Sequence, residues 1–295
     1  MMPSAFGIFW APYKASPRNL ADRVLFNKHD LLWVLASEPQ IYLTGGLIMT
    51  RLKGKFALIT GASGAIGRAI AVKLASEGAT VAVHYGGNAG GAEETVRVIE
   101  SKGGKAQAFQ ANTGRPAEIR RLFAKIDDAF GKRLDILVNN AGFGMMKPIM
   151  EVTEEDFDNI FAVNTKGYFF CMQEAAKRMK EGSRIINVTT TLAHARRPMT
   201  SLYAASKNAV LTFTRVAAQE LGPQGITVNS VSPGPVFPGM MSKAPEEIRK
   251  HEATLSPFNR LGRPEDVADV VAFLASDDSR WVSGQDIPTN GAGNF

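Results

Sequence analysis

Residues 56–67 read Phe-Ala-Leu-Ile-Thr-Gly-Ala-Ser-Gly-Ala-Ile-Gly. The short apolar run 56–60 reads as a buried strand, the glycines at 61, 64 and 67 as a turn, and the amphipathic stretch 66–77, which stops at Gly78, as a helix. Outward from this point the same unit repeats. Strands are expected over 80–84, 105–110, 134–139, 184–189 and 226–231, with helices over 92–102, 116–130, 154–180 and 201–221 between them. Short continuous apolar strands alternating with helices imply an α/β fold, a parallel sheet covered by helices on both faces. No Pro/Ser-rich linker interrupts the chain after Met49, which predicts one doubly wound domain over 49–295. In such sheets ligands bind at the carboxyl ends of the strands, near the point where the strand order reverses.

The turn at 60–67 has the chemistry of a phosphate cradle. Its glycines permit a tight turn, a close backbone approach to a pyrophosphate and tight packing of helix on sheet, and the helix N-terminus favours negative charge. An NAD site places Asp or Glu at the end of the second strand to meet the ribose hydroxyls. Here that end reads His84-Tyr85-Gly86-Gly87-Asn88, with no acid before Glu93. A carboxylate would repel a 2′-phosphate, so its absence favours NADP(H) over NAD(H). No Arg occupies the turn or the strand end, and His84, Tyr85 and Asn88 offer hydrogen bonds only.

Composition bounds the remaining classes. The 295 residues are 45% apolar and 21% charged, as in ordinary globular chains, which excludes disorder and collagen. The net charge of +6 is spread without a basic run, so nucleic acid is not an expected partner. Cys171 is the single cysteine, which excludes an internal disulfide and a cysteine metal cluster and makes a reducing, cytoplasmic setting the default. Residues 1–48 are aromatic-rich and aperiodic, with four basic and three acidic residues. The long uncharged stretches here, 1–13 and 39–50, are far short of the roughly 20 apolar residues of a membrane span. Met49 resembles a natural start, and 1–48 is expected to be an extension without a catalytic role; a membrane anchor through it is a weaker reading.

Tyr203-Ala-Ala-Ser-Lys207 puts a phenol and an ammonium at i and i+4, on one face of a helix. A neighbouring cation lowers a phenol's pKa and makes it an acid–base group. This pair is one of six ordered motifs. With 60–67, Asn139-Asn-Ala-Gly142, Asn164, Thr189-Thr-Thr191 and Ser232-Pro-Gly-Pro235, the chain over 52–291 resembles the short-chain dehydrogenase/reductase family. Within it, the closest flavour is similar to NADP-linked 3-oxoacyl-carrier-protein reductases and related ketoreductases. Gly262-Arg-Pro-Glu-Asp266 and Val282-Ser-Gly-Gln285 extend the match.

The resemblance implies a Rossmann-type domain with a seven-stranded parallel sheet, usually in a homotetramer or homodimer, acting on a small-molecule carbonyl or alcohol. It implies Tyr203 as general acid for carbonyl reduction and Lys207 as the group that binds the nicotinamide ribose and lowers the Tyr203 pKa. Asn164 would hold a relay water, and Thr190 would stand in for the family's serine beside the substrate oxygen. The cofactor would be held by Gly61, Ser63, Ala65, Ile66, Gly67, Tyr85, Asn112, Asn140, Ala141, Gly142, Lys207, Pro233, Gly234 and Val236. Ala65, Asn112, Pro238 and Thr190 depart from the family's usual residues. Ala65 is acceptable only where the local φ is negative and a methyl fits. These departures leave open an alternative, a catalytically weakened nucleotide-binding regulatory or scaffold protein. Substrate signals are thinner: Arg196 and Arg197 read as an anion contact or a solvated loop, and Phe143, Met145, Met146, Phe237, Met240 and Met241 as a site wall or core. His194 reads as a surplus acid–base candidate, and the sequon at Asn187 lies in a buried strand and carries no meaning.

Overall fold

The computed structural model describes residues 50–293; the reading of 1–48 as an extension lies outside them. Seven parallel strands, β1 (Phe56–Ile59), β2 (Thr80–Tyr85), β3 (Lys105–Gln110), β4 (Ile136–Asn139), β5 (Arg184–Val188), β6 (Thr227–Pro233) and β7 (Asp286–Thr289), form one sheet in the order 3-2-1-4-5-6-7. The order reverses between β1 and β4, which pair in parallel through Ala57, Leu58 and Ile59 with Ile136, Leu137 and Val138. Ligand chemistry is therefore expected above the ends of these two strands.

Alternation along β1 shows why both faces are covered. Ala57 and Ile59 point into one core with Ile70, Leu74 and Val271, while Phe56 and Leu58 point into the other with Leu122, Phe123 and Ile185. The first core lies under α1 (Ala65–Ser76), α2 (Ala89–Ser101) and α8 (Pro264–Ala275). The second lies under α3 (Pro116–Phe130), α5 (Gly167–Ala176) and α6 (Ser201–Leu221).

The expected single helix over 154–180 is corrected. It is two helices, α4 (Glu154–Phe161) and α5, joined by one π turn, Ala162–Lys166, and α5 ends at Ala176. The wider turn swings Asn164 inward and brings Gly167 against Thr113, where a Cβ would stand 2.8 Å from the Thr113 carbonyl oxygen. Apolar periodicity passes through such a one-residue slip unchanged, so the sequence pattern did not reveal it. The short α7 (Glu246–Thr254) lies in the segment after β6.

Candidate active site

The glycine turn is held from below. Thr60 Oγ1 accepts from the backbone N–H of Asn140 (2.9 Å) and Ala141 (3.0 Å), and Asn140 Nδ2 donates to the carbonyls of Thr60 (2.9 Å) and Gly61 (3.2 Å). Asn140 and Ala141 thus brace the turn at the switch point. Gly61 takes φ +67°, and a Cβ on it would meet Ala141 Cα at 2.8 Å. Gly64 caps α1 without a side-chain bond, and no acid occupies the first helical turn. The end of α1 is therefore a set of backbone donors with uncompensated positive character, flanked by Ser63 and Ile66. Ala65 is the first residue of α1 and is not among the positive-φ positions, so the backbone half of the condition on it is met.

The hydrogen bonds that His84 offers go to the backbone. The ring is buried: Nδ1 accepts the Gly61 N–H at 3.1 Å, which fixes the tautomer, so Nε2 donates to the Ala111 carbonyl at 3.1 Å. Burial pushes its pKa down to about 4. The unfolded ring, near 6.5, takes up a proton first, so stability is lost as pH falls through 6.5 toward the folded value. Between pH 7 and pH 5 the loss is expected to be about 2 kcal/mol. Denaturant titrations of wild type and His84→Asn over that window check this; parallel pH slopes for the two proteins would refute it.

At the end of β2, Tyr85 is half-buried, and Gly86, Gly87 and Asn88 are exposed. A Cβ on Gly86 or Gly87 would meet nothing within 4 Å. Asn88 caps α2 through Oδ1, which accepts from Gly91 at 3.0 Å. Arg68, just past the turn, is engaged in bracing α1 on α2 through Thr95 (3.1 Å) and the Gly91 carbonyl (3.1 Å). Asn112 lies next to Tyr85 across the strand ends, its Oδ1 closing a turn onto Gly114. The open segment after β2, residues 85–88, carries no carboxylate, while Glu118 accepts the Asn112 N–H at 2.8 Å; beside an uncapped helix N-terminus that segment fits a dinucleotide with a 2′-phosphate.

Tyr203 and Lys207 lie on the buried face of α6 with Ser206 and Val210. Lys207 Nζ donates to the Tyr168 hydroxyl (2.7 Å) and the Val188 carbonyl (2.9 Å), and Tyr168 donates to the same carbonyl (2.9 Å). Asn164 Nδ2 donates to the Phe143 carbonyl (2.9 Å) and Ser206 Oγ (3.2 Å), while its Oδ1 accepts from the Phe143 N–H (3.1 Å). A Cβ on Gly142 would press on Asn164 Oδ1 at 2.9 Å and on Lys207 Nζ at 3.2 Å. Asn164, Gly142 and Lys207 therefore form one packed cluster at the switch point, and Thr190 joins it from the end of β5 beside Tyr203.

The charges in this cluster differ from the sequence expectation. Burial pushes the Tyr203 phenol up to about 12, and the group opposing that rise is the hydrogen-bonded Thr190 hydroxyl, not Lys207. Burial pushes Lys207 down to about 7. At about 7 the amine is part ammonium at neutral pH, but its hydrogen bonds run to Tyr168 and Val188 and none to Tyr203. Tyr168 itself was missed, because one tyrosine in the apolar stretch Gly-Tyr-Phe-Phe-Cys reads as core.

Above the cluster, β6 ends at Pro233, and the Gly234 N–H donates to the Thr289 carbonyl at 3.2 Å. Val236 is buried and bridges Gly262, which fixes the segment leading to Pro238 and α7. Arg197 makes two bonds to the buried Glu252 of α7 (3.0 and 2.5 Å), tying the segment before Tyr203 to the segment after β6; Arg196 is exposed. Phe143, Met146, Phe237 and Met240 are exposed, Met145 and Met241 half-buried. His194 pairs with Asp286 at 2.9 Å, and that carboxylate also accepts from Ser230 and Ser232.

A family model described as Enoyl-(Acyl carrier protein) reductase matches residues 61–292. A "Short-chain type dehydrogenase/reductase" of Picea abies is 43% identical over 251 residues, 81% of this chain and 92% of that protein. The 3-oxoacyl-[acyl-carrier-protein] reductase FabG of Staphylococcus aureus is 39% identical over 239 residues, 80% of this chain and 97% of its own. Among solved structures, angucycline C-6 ketoreductase LanV with bound NADP superposes with a TM-score of 0.79 at 43% identity, covering 82% of this chain and 96% of that one. Likeness of this extent in sequence and in fold places the chain in the short-chain dehydrogenase/reductase family.

Proposed function

We propose that the chain is an NADP(H)-dependent oxidoreductase that reduces a ketone or 3-oxoacyl group to a secondary alcohol, or runs the reverse. The observation that carries this is the buried Tyr203, Thr190 and Lys207 cluster at the strand ends, beside a phosphate turn with no carboxylate on the ledge after β2. When bound, the nicotinamide supplies the hydrogen and electron pair that reduce the carbonyl carbon. The uncapped start of α1 with Gly61, Ser63, Ala65, Ile66 and Gly67 binds the pyrophosphate, and Tyr85 and Asn112 line the adenosine end. Asn140, Ala141, Gly142, Pro233, Gly234 and Val236 shape the nicotinamide end. Tyr203 gives its proton to the carbonyl oxygen, Thr190 donates a hydrogen bond to that oxygen, and Lys207 returns a proton toward Tyr203 from solvent by way of Asn164.

The exposed apolar side chains around the cluster, Phe143, Met146, Phe237 and Met240, suit a substrate with an apolar body. Exposed Phe157, Phe169 and Val216 on α4, α5 and α6 support a homotetramer or homodimer packed through those helices. The single cysteine supports a cytoplasmic setting, and no helix among the described residues is long and apolar enough to cross a membrane. We take 49–295 as the catalytic domain and 1–48 as an extension outside the chemistry. The test is loss of NADPH absorbance with acetoacetyl thioesters and a ketone panel, against NADH and against an enoyl thioester. Turnover with NADPH on ketones at least tenfold above NADH is expected. Turnover of the enoyl substrate alone, or of none, overturns the reading.

A further inference from the structure

Lys207 is held by a group that the six motifs do not contain. Tyr168 is 2% exposed, and its hydroxyl sits between Lys207 Nζ and the Val188 carbonyl, accepting from one and donating to the other. The ammonium also lies 4.3 Å from the centroid of the same ring. Packing on α5 needs only the ring, and a phenylalanine would supply it. A buried hydroxyl costs desolvation unless both its donor and its acceptor capacity are used, and here both are. Lys207 has no acid beside it to offset its burial, which is the sole cause of its lowered pKa. The other titratable groups facing this corner are Tyr203 from α6 and Cys171 from α5, and neither carries charge at neutral pH. The Tyr168 oxygen, with the Val188 carbonyl, is what compensates the buried N–H groups of the lysine.

We propose that Tyr168 is a positioning residue for the reaction. Its buried hydroxyl, wedged between Lys207 Nζ and the Val188 carbonyl, anchors the lysine on the floor of the site and ties α5, the end of β5 and α6 together at that point. Val188 lies two residues before Thr190, so the same bond sets the lysine against the strand end that carries the substrate-facing threonine. This rests on the reading of Lys207 as part of the catalytic machinery.

The test uses full-length enzyme with NADPH. Tyr168→Phe keeps the ring and removes the oxygen; Tyr168→Leu removes both. Removing the acceptor disfavours the ammonium, so its pKa falls further and the alkaline limb of the kcat profile moves to lower pH. A shift of about one pH unit and a roughly tenfold loss of kcat at pH 8 are expected for Phe, more for Leu, with KM for the carbonyl substrate changed less than twofold. A core-packing role alone would lower the melting temperature and leave the limb in place, and that result overturns the proposal. If Tyr168→Phe does not fold, 3-fluorotyrosine at 168 keeps the shape and weakens the acceptor, and an unmoved limb there overturns it equally. Lys207→Met separates this inference from the one beneath it. If Lys207→Met retains wild-type kcat, the reaction reading fails; if it is inactive while Tyr168→Phe matches wild type, the anchor alone fails.

Discussion

Tyr203→Phe is expected to lower kcat for ketone reduction by about 10²–10⁴-fold while leaving NADPH affinity and melting temperature near wild type. The size follows from what the hydroxyl does. A carbonyl oxygen gaining charge as its carbon is reduced needs a proton donor within hydrogen-bond reach, and the phenol is the acidic group that α6 presents beside Thr190. Thr190 can donate a hydrogen bond but is a far weaker acid, so it stabilises charge without neutralising it. Stability should hold because Tyr203 packs through its ring against Leu202, Ile160 and Met145, and phenylalanine keeps those contacts. The phenol is buried and pushed up to about 12, so wild-type activity should not collapse from its ionisation anywhere near neutral pH. Single-turnover absorbance with saturating NADPH reads the chemical step directly. Equal rates for the two proteins would remove Tyr203 from the mechanism and reopen the reading of the fold as a binding module.

Most of the architecture was legible because the inner strands of a parallel sheet covered on both faces write themselves as short apolar runs, and the edge strand β3 alternates instead. The expected strand over 105–110 and helices over 116–130 and 201–221 match β3, α3 and α6 at both ends. Three kinds of feature were not legible. The π turn at Ala162–Lys166 adds a residue to a turn without disturbing the hydrophobic stripe. β7 is four residues, Asp-Ile-Pro-Thr, at the sheet edge with no fully buried position, and α7, Glu-Glu-Ile-Arg-Lys-His-Glu-Ala-Thr, is almost entirely polar, so neither has an apolar period to find. In the site, the motif residues fell where spacing put them, but their supports did not show. His84 and Tyr168 act through buried hydrogen bonds to backbone and to Lys207, and a sequence gives no sign of which polar atom a buried ring will meet. The same blindness explains the Tyr203 pKa: proximity of a lysine was legible, the burial that raises the phenol and lowers the lysine was not.

Gly67→Ala is expected to be the most disruptive single methyl in the turn, and two effects of opposite sign decide it. Gly67 is helical, and alanine in its place would gain up to about 1 kcal/mol of helix propensity. Against this, the new Cβ would stand 2.4 Å from the Gly61 carbonyl oxygen, 2.6 Å from Asn140 Nδ2 and 2.9 Å from Ala62 Cα. Two of these are backbone atoms of the turn, and the third belongs to the side chain that bonds Thr60 and Gly61, so no flexible group can yield. Overpacking against rigid neighbours costs about 1–3 kcal/mol and sometimes more, and at distances this short the clash exceeds the propensity gain. Relief requires α1 to lift from β1, which moves the start of the helix away from the phosphates. The expected result is a net loss of about 2 kcal/mol, read as a melting temperature roughly 4–8 °C lower, together with at least a tenfold weaker NADPH Kd by fluorescence titration. Gly64→Ala provides the contrast. Its φ is −94° and its Cβ would approach nothing nearer than 3.6 Å, so the apo protein should melt as wild type, and any loss of NADPH affinity there reports the methyl meeting the cofactor itself. Identical melting temperatures and Kd values for wild type and Gly67→Ala would mean that the contact of α1 on β1 is looser than the geometry requires.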